Sequence, residues 1–270
     1  LSSESSKRRI EYKKRLRPSR GKDTYGFDIT ADKTTLCYVS RTIVIGDVHG
    51  CSEELNDLLC KVKPTESDKV VLVGDLIGRG PDPRGVLSIV AKCKAVAVQG
   101  NHERRLLEVR AAGAENRKSR LGPGHRRMMA SFSESDWRVI EGMPLYHDLP
   151  EHGLCVVHAG LDPRVALHQQ DPWVLTHIRS LDEQGNPSHR DGKESWSVKY
   201  QGPTHVVFGH NALRGLQIHR NATGLDSGCV YGGSLSALVL DGGDSVPSAT
   251  NRREHIVCVP AKRQYFDPNQ

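Results

Sequence analysis

Five short apolar runs in this chain each end, most often through a glycine, on a side chain that binds metals. No other feature constrains the fold as much. The segments are Thr42-Ile-Val-Ile-Gly-Asp47-Val-His49-Gly50, Val70-Val-Leu-Val-Gly-Asp75, Ala95-Val-Ala-Val-Gln-Gly-Asn101-His102-Glu103, Leu154-Cys-Val-Val-His158-Ala-Gly160 and His205-Val-Val-Phe-Gly-His210. Four-residue runs rich in Val and Ile read as buried strands that break into loops. Their carboxylates and imidazoles then gather at one edge of a sheet, where open α/β folds place their ligands.

Between these strands the sequence predicts helices. Leu55, Leu58, Leu59 and Val62 fall at i, i+3, i+4 and i+7 and give one apolar stripe, with Ser52 as the expected N-cap and Pro64 as the stop. A second helix is expected from about Pro83 to Lys92. Residues 103–148 read as a helical insert, basic at first and then amphipathic, broken at Gly122-Pro-Gly124 and restarted near Ser133-x-x-Asp136. A loop-rich stretch over 162–203 precedes the strand at 205–208, and strands near 235–240 and 255–259 close the sheet. Because the five motifs span most of the 270 residues, we expect one catalytic domain over 36–270.

The net charge of +6 is unevenly spread. Residues 1–22 hold nine Lys or Arg against Glu4 and Glu11, and the remainder is close to neutral. Residues 1–35 have no hydrophobic period and read as a basic, flexible arm, either a solvated leader or an electrostatic guide for an anion such as RNA. Seven cysteines without a Cys-x-x-Cys pair do not form a disulfide framework. Cys155 and Cys258 read as core residues, and Cys51 as a thiol capping a turn. Together with the lack of a membrane-length apolar run or signal peptide, this gives the expectation of an intracellular protein of cytoplasm or nucleus. The chain starts at Leu1 and not at a methionine, so an organelle stays open.

An oxygen-and-imidazole ligand set without thiolate suits manganese, iron, zinc or magnesium. Two such ions about 3.5–4 Å apart activate water and clamp a phosphoryl group. A shared carboxylate must hold the pair, and Asp75 is the candidate.

Taken in order, the motifs resemble the calcineurin-like metallophosphoesterase superfamily in its phosphoprotein-phosphatase-type branch, over roughly residues 40–240. The resemblance rests on Gly46-Asp-Val-His-Gly50, Gly74-Asp-Leu-Ile-Gly-Arg-Gly80, Gly100-Asn-His-Glu103, His158-Ala-Gly160 and Gly209-His210. It implies an α/β sandwich of two mixed β-sheets flanked by helices, with a dimetal site at one sheet edge. It further implies that Asp47, His49 and Asp75 bind one metal, and Asp75, Asn101, His158 and His210 the other, with manganese the expected ion. His102 would protonate the leaving oxygen, Arg79 would grip phosphate, and Arg179 is a candidate second clamp. Arg104 and Tyr231 are candidate substrate-binding residues, and His219 has no counterpart.

One departure points to the substrate. Ser/Thr protein phosphatases carry a second Asp where this chain has Gly78, and that carboxylate orients the catalytic histidine. Without it, help to a poor leaving group such as a serine alkoxide weakens, whereas a nucleoside phosphate needs less. Together with Gly209-His-Asn-Ala-x-Arg-Gly-Leu216 and Gly224-Leu-Asp-Ser-Gly-Cys-Val-Tyr-Gly-Gly233, this is similar to the ApaH-like phosphatases. Those include diadenosine-tetraphosphate hydrolases, a kinetoplastid enzyme that removes messenger-RNA caps and a fungal endopolyphosphatase. The implied activity is hydrolysis of phosphoanhydrides in a dinucleoside tetraphosphate or a cap, with capped RNA a partner to test and polyphosphate an alternative. A phosphoprotein phosphatase and an inactive RNA-binding scaffold are the rival readings. The Arg104, Arg105, Arg110, Arg117, Lys118, Arg120, Arg126 and Arg127 series would suit a polyanion or simply a solvated helix face.

Overall fold

The structure, a computed structural model, describes residues 40–112 and 122–267. The expected arm over 1–35 lies outside these residues, as do Arg117, Lys118 and Arg120. The strands are β1 (Arg41–Ile45), β2 (Lys69–Leu72), β3 (Val96–Ala97), β4 (Tyr146–Leu149), β5 (Leu154–Val157), β6 (Ser180–Leu181), β7 (Pro187–Ser188), β8 (His205–Phe208), β9 (Gln217–Ile218), β10 (Ala222–Gly224), β11 (Ser234–Asp241) and β12 (Ile256–Pro260). The helices are α1 (Ser52–Val62), α2 (Pro83–Lys92), α3 (Asn101–Ala111), α4 (Pro123–Ser131), α5 (Glu134–Glu141), α6 (Pro172–His177) and α7 (Trp196–Lys199).

Two five-stranded mixed sheets result, ordered β12-β11-β1-β2-β3 and β4-β5-β8-β10-β9, with β6 and β7 as a small hairpin. In the first sheet β1, β2 and β3 are parallel; in the second β5, β8 and β10 are. Alternation along each strand explains why the runs are apolar on both sides. Val44, Val71, Val156, Val207 and Leu238 point into the core between the sheets. Their neighbours Ile43, Ile45, Val70 and Leu72 face the opposite way, onto the Leu55, Leu58 and Val86 side chains of α1 and α2. In the second sheet Cys155, Val157, Val206 and Phe208 pack with Trp196, Val174 and Leu175 of α6 and α7. Strands buried on both faces carry no polar side to alternate with.

Some local expectations are corrected. Ser52 is the first residue of α1, and Cys51 holds the cap position without a side-chain bond to the helix. The Ser52 hydroxyl instead donates to Asp82 Oδ2 at 2.8 Å, while Asp82 Oδ1 accepts the Gly85 N–H and caps α2. One carboxylate thereby ties two helix starts. The Cys51 thiol donates to the His49 carbonyl across the turn. The insert is helical only to Glu141, and residues 146–149 form β4 because they pair with β5. Pro123 does not merely break the insert; it occupies the first turn of α4, where its missing N–H costs nothing. Ser133 and Asp136 form the capping box that starts α5. Cys155 is buried as expected, whereas Cys258 is half-buried. Among the described residues no helix is long and apolar enough to cross a membrane.

Candidate active site

Each parallel strand of both sheets delivers a polar side chain from the loop at its carboxyl end. β1 leads to Asp47 and His49, β2 to Asp75 and Arg79, β3 to Asn101 and His102, β5 to His158, β8 to His210 and β10 to Asp226. Backbone strain concentrates here. Among the described non-glycine residues, positive φ occurs at His49, Asp75, Arg79 and His210, and elsewhere only at Lys63 and Lys94. Left-handed backbone costs an L-residue about 1–2 kcal/mol, so the surrounding packing holds these loops in position at the expense of local stability.

The Asp75 carboxylate stands at the centre. Its Oδ2 lies 3.5 Å from His49 Nε2 and its Oδ1 lies 3.5 Å from His158 Nε2. Asn101 Oδ1 meets His158 Nε2 at 3.0 Å and His210 Nδ1 at 2.9 Å. The far nitrogens of two rings are fixed by backbone carbonyls: His49 Nδ1 on Ile77 at 3.2 Å and His158 Nδ1 on Val73 at 2.8 Å. Each Nδ1 therefore carries the proton, which leaves each Nε2 as a lone-pair donor within 3.5 Å of an Asp75 oxygen, the tautomer typical of ligating histidines. Asp47 accepts the His210 N–H with both oxygens, at 3.2 and 3.0 Å. That contact requires Gly209, because a Cβ there would overlap Asp47 Oδ1.

The electrostatics call for cations. Burial, then the charges of Asp226 and Asp75, push the Asp47 carboxyl well above its usual range. Burial pushes Asp226 up to about 6. Burial also opposes ionisation of Asp75, but the imidazoles of His158, His102, His49 and His210 more than offset it and hold its carboxyl low. Burial lowers His49 to about 3, so this imidazole is neutral near pH 7. The low carboxyl of Asp75 presupposes positive charge around it, which the neutral His49 ring does not carry, so these buried carboxylates are short of positive charge. The donor atoms form two groups that share Asp75, namely His49, Asp75 and His102, and Asp75, His158 and His210, each within 4.8 Å. This oxygen-and-nitrogen set, free of thiolate, fits a pair of hard or borderline divalent metals.

Glu103, quoted above only as part of a motif, is fully buried and supports the centre. Its carboxylate accepts the N–H groups of Asp75, Leu76, Ile77 and Gly100 at 2.9–3.2 Å. Burial and the Asp75 charge push it up to about 8 against those four donors. His102 lies beside the centre, its ring edge-on to His49 at 4.8 Å between centroids, and burial lowers it to about 4. Gly78 has φ +82°, and a Cβ at this position would sit 2.6 Å from His102 Nδ1. Where a carboxylate is missing, the His102 ring packs directly on the glycine, and any side chain at 78 would have to displace that ring on a backbone with positive φ.

Arg79 donates from Nη1 to His49 Nε2 at 2.8 Å and packs over Tyr231 and Phe266, at 5.5 and 5.9 Å from the ring centroids. Arg179 donates to the His189 carbonyl, leaves its Nε buried without a partner, and bears electrostatically on His210 and Asp226. Arg104 pairs with Glu108 at 3.2 Å and bears on His177. Tyr231 reaches the site through Arg79, half-buried. His219 is remote from the ligands, its Nε2 buried without a partner and its N–H paired with Ala222. Sequence reasoning missed Asp226, although a short strand followed by an acid is the signal used at Asp75; the glycines around it drew the reading. It also missed Phe266, His125 and the Trp173–His177 stack, with centroids 5.5 Å apart, which no local pattern marks.

Fold and site together define a metal-dependent phosphohydrolase. Residues 40–243 match the calcineurin-like phosphoesterases, and the chain belongs to that family. It is 30% identical over 216 residues to the bis(5'-nucleosyl)-tetraphosphatase PrpE [asymmetrical] of Halalkalibacterium halodurans, spanning 72% of this chain and 88% of that protein. The Bacillus cereus protein of the same name is 31% identical over 221 residues, with the same coverage. The crystal structure of a candidate diadenosine tetraphosphatase overlays with a TM-score of 0.69 at 35% identity, covering 83% of this chain and 94% of that one.

Proposed function

We propose that this enzyme hydrolyses nucleoside polyphosphates of the dinucleoside tetraphosphate type, cutting the chain asymmetrically into a mono- and a triphosphate. The observation that carries the reading is Asp75, whose two oxygens face separate imidazole groups. Asp47, His49 and Asp75 would hold one divalent ion, and Asp75, Asn101, His158 and His210 the other, with manganese the expected metal. When bound, the pair supplies a nucleophile from water near neutral pH and neutralises phosphoryl charge.

The chain's own groups do the rest. Arg79, packed against the Tyr231 and Phe266 rings, presents a planar donor fork to phosphate oxygens, and Arg179, whose charge bears on His210 and Asp226, is the second candidate clamp. His102 gives its proton to the oxygen that departs. Because that imidazole has a backbone neighbour at Gly78 in place of a carboxylate, its cationic form is poorly stabilised. A leaving group that is already a stable phosphate anion tolerates this; a serine alkoxide does not. The names of the relatives support the same substrate class. The test is a panel with manganese of diadenosine tetraphosphate, capped RNA, inorganic polyphosphate and phosphopeptide, read by product chromatography. Mono- and triphosphate products from the dinucleotide, with far slower phosphopeptide release, are expected. The opposite order refutes the reading.

A further inference from the structure

Beside the metal-ligand cluster a cavity of about 770 Å³ opens between the Arg79 turn, α4 and the C-terminal segment. Its size falls within the about 300–1,000 Å³ typical of small-molecule sites. We propose that it is the subsite for the nucleotide that leaves, with the base packed on Phe266 and Met128 and its phosphates directed at Arg79 and Arg127.

Three observations carry the assignment. First, the cavity shares His102 and Arg79 with the reaction centre, so whatever accepts the proton of His102 departs into this space. This step rests on the function proposed above: the P–O bond to the leaving nucleotide breaks as the oxygen of water bonds to phosphorus, and the proton completes the departing group. Secondly, the described lining includes Arg79, Arg127 and two histidines, His102 and His125, but no carboxylate. Burial, then the charges of Arg105 and Arg79, lower His125, so it offers a neutral ring beside the arginines. Such a wall receives an anion.

Thirdly, the same cavity has an apolar side. Phe266 is an aromatic ring left 39% exposed, with Met128 also on the lining. A phosphate chain alone gains nothing from this surface. A nucleobase does, because every base has a π face to stack, and stacking of this kind is indifferent to base identity. Phe266 also contacts Arg79 and Tyr231, so a base on its face sits within one phosphate chain of the guanidinium. The C-terminal segment thus supplies nucleotide selectivity to a centre built from the preceding strands.

The test reads binding, not turnover. Calorimetry on the manganese-loaded enzyme would compare ATP with inorganic tripolyphosphate, in wild type, Phe266→Ala, Phe266→Trp and Met128→Ala. We expect ATP affinity to fall about tenfold in Phe266→Ala, in line with stacking of one base, to fall less in Met128→Ala, and to be kept in Phe266→Trp. Because Phe266 also packs on Arg79, tripolyphosphate affinity should fall by clearly less than ATP affinity. Unchanged ATP affinity, or an equal loss for both ligands, overturns the subsite. GTP should follow ATP in every variant, and a loss confined to one base overturns the stacking account. Circular dichroism checks folding, and Met128→Ala keeps the test open if Phe266→Ala does not fold. Wild-type enzyme that binds ATP in this pattern yet does not cleave dinucleoside tetraphosphate would refute the proposed function and leave the subsite standing.

Discussion

Replacing Gly78 tests the central claim about His102. Alanine at this position puts a Cβ 2.6 Å from His102 Nδ1, well inside contact distance, on a backbone with φ +82°. Holding an L-residue in that conformation costs about 1–2 kcal/mol, which for a chain of this size lowers Tm by about 2–8 °C. The imidazole must also turn away, and a positioned proton donor contributes at least about 100-fold. Because a nucleoside phosphate leaves with less of that help, we expect kcat/KM for diadenosine tetraphosphate to fall by less, about tenfold in Gly78→Ala, mostly through kcat, and further in Gly78→Asp. A double-mutant cycle separates the two costs. In a His102→Ala background, Gly78→Ala should lower Tm by the same amount while costing little more activity. Additive losses in kcat/KM would show that Gly78 acts elsewhere. A Gly78→Asp enzyme as stable as wild type, with raised phosphomonoester turnover, would show that a carboxylate fits after all and refute the steric account.

Three further outcomes follow from the geometry. Asp75→Asn should cut bound metal below two per chain and remove most activity with an unchanged circular dichroism spectrum; two metals by elemental analysis at full activity would reject the shared-ligand assignment. Asp226→Asn, which removes a charge bearing on Asp47, should weaken manganese binding by about tenfold, as expected for a group supporting a ligand; a titration with unchanged affinity excludes that support. Asp68 accepts Arg41 Nε and Nη2 at 3.2 and 2.7 Å, and although burial opposes its ionisation, Arg41 and the Thr65 N–H pull it down to about 2. A depressed carboxyl stabilises the fold above its unfolded value and loses that contribution as pH falls toward about 2. Asp68→Asn should accordingly cost about 2 kcal/mol at pH 7 and about half of that near pH 3 by urea unfolding, and an equal cost at both pH values contradicts the ion-pair account.

The legibility of this site follows from how far each cause reaches along the chain. Strand runs and the residues that end them are local, so Asp47, Asp75, Asn101, His158 and His210 could be read in order, and the structure brings them to one edge. The sheet order could not be read, because β11 inserts between β12 and β1 through pairings across nearly 200 residues. Gly78 shows the limit most clearly. Its sequence signal was an absent carboxylate, whereas the positive φ and the His102 ring packed on the glycine are seen only in the folded chain. The same reach explains Ser52, whose hydroxyl is drawn from its expected cap by Asp82 30 residues away. Phe266 lies 187 residues from Arg79 and beyond the last motif, yet it walls the cavity where His102 opens. Chemistry common to the family is written in short local motifs at strand ends, whereas the groups proposed to choose the leaving nucleotide come from segments whose role depends on where the chain returns.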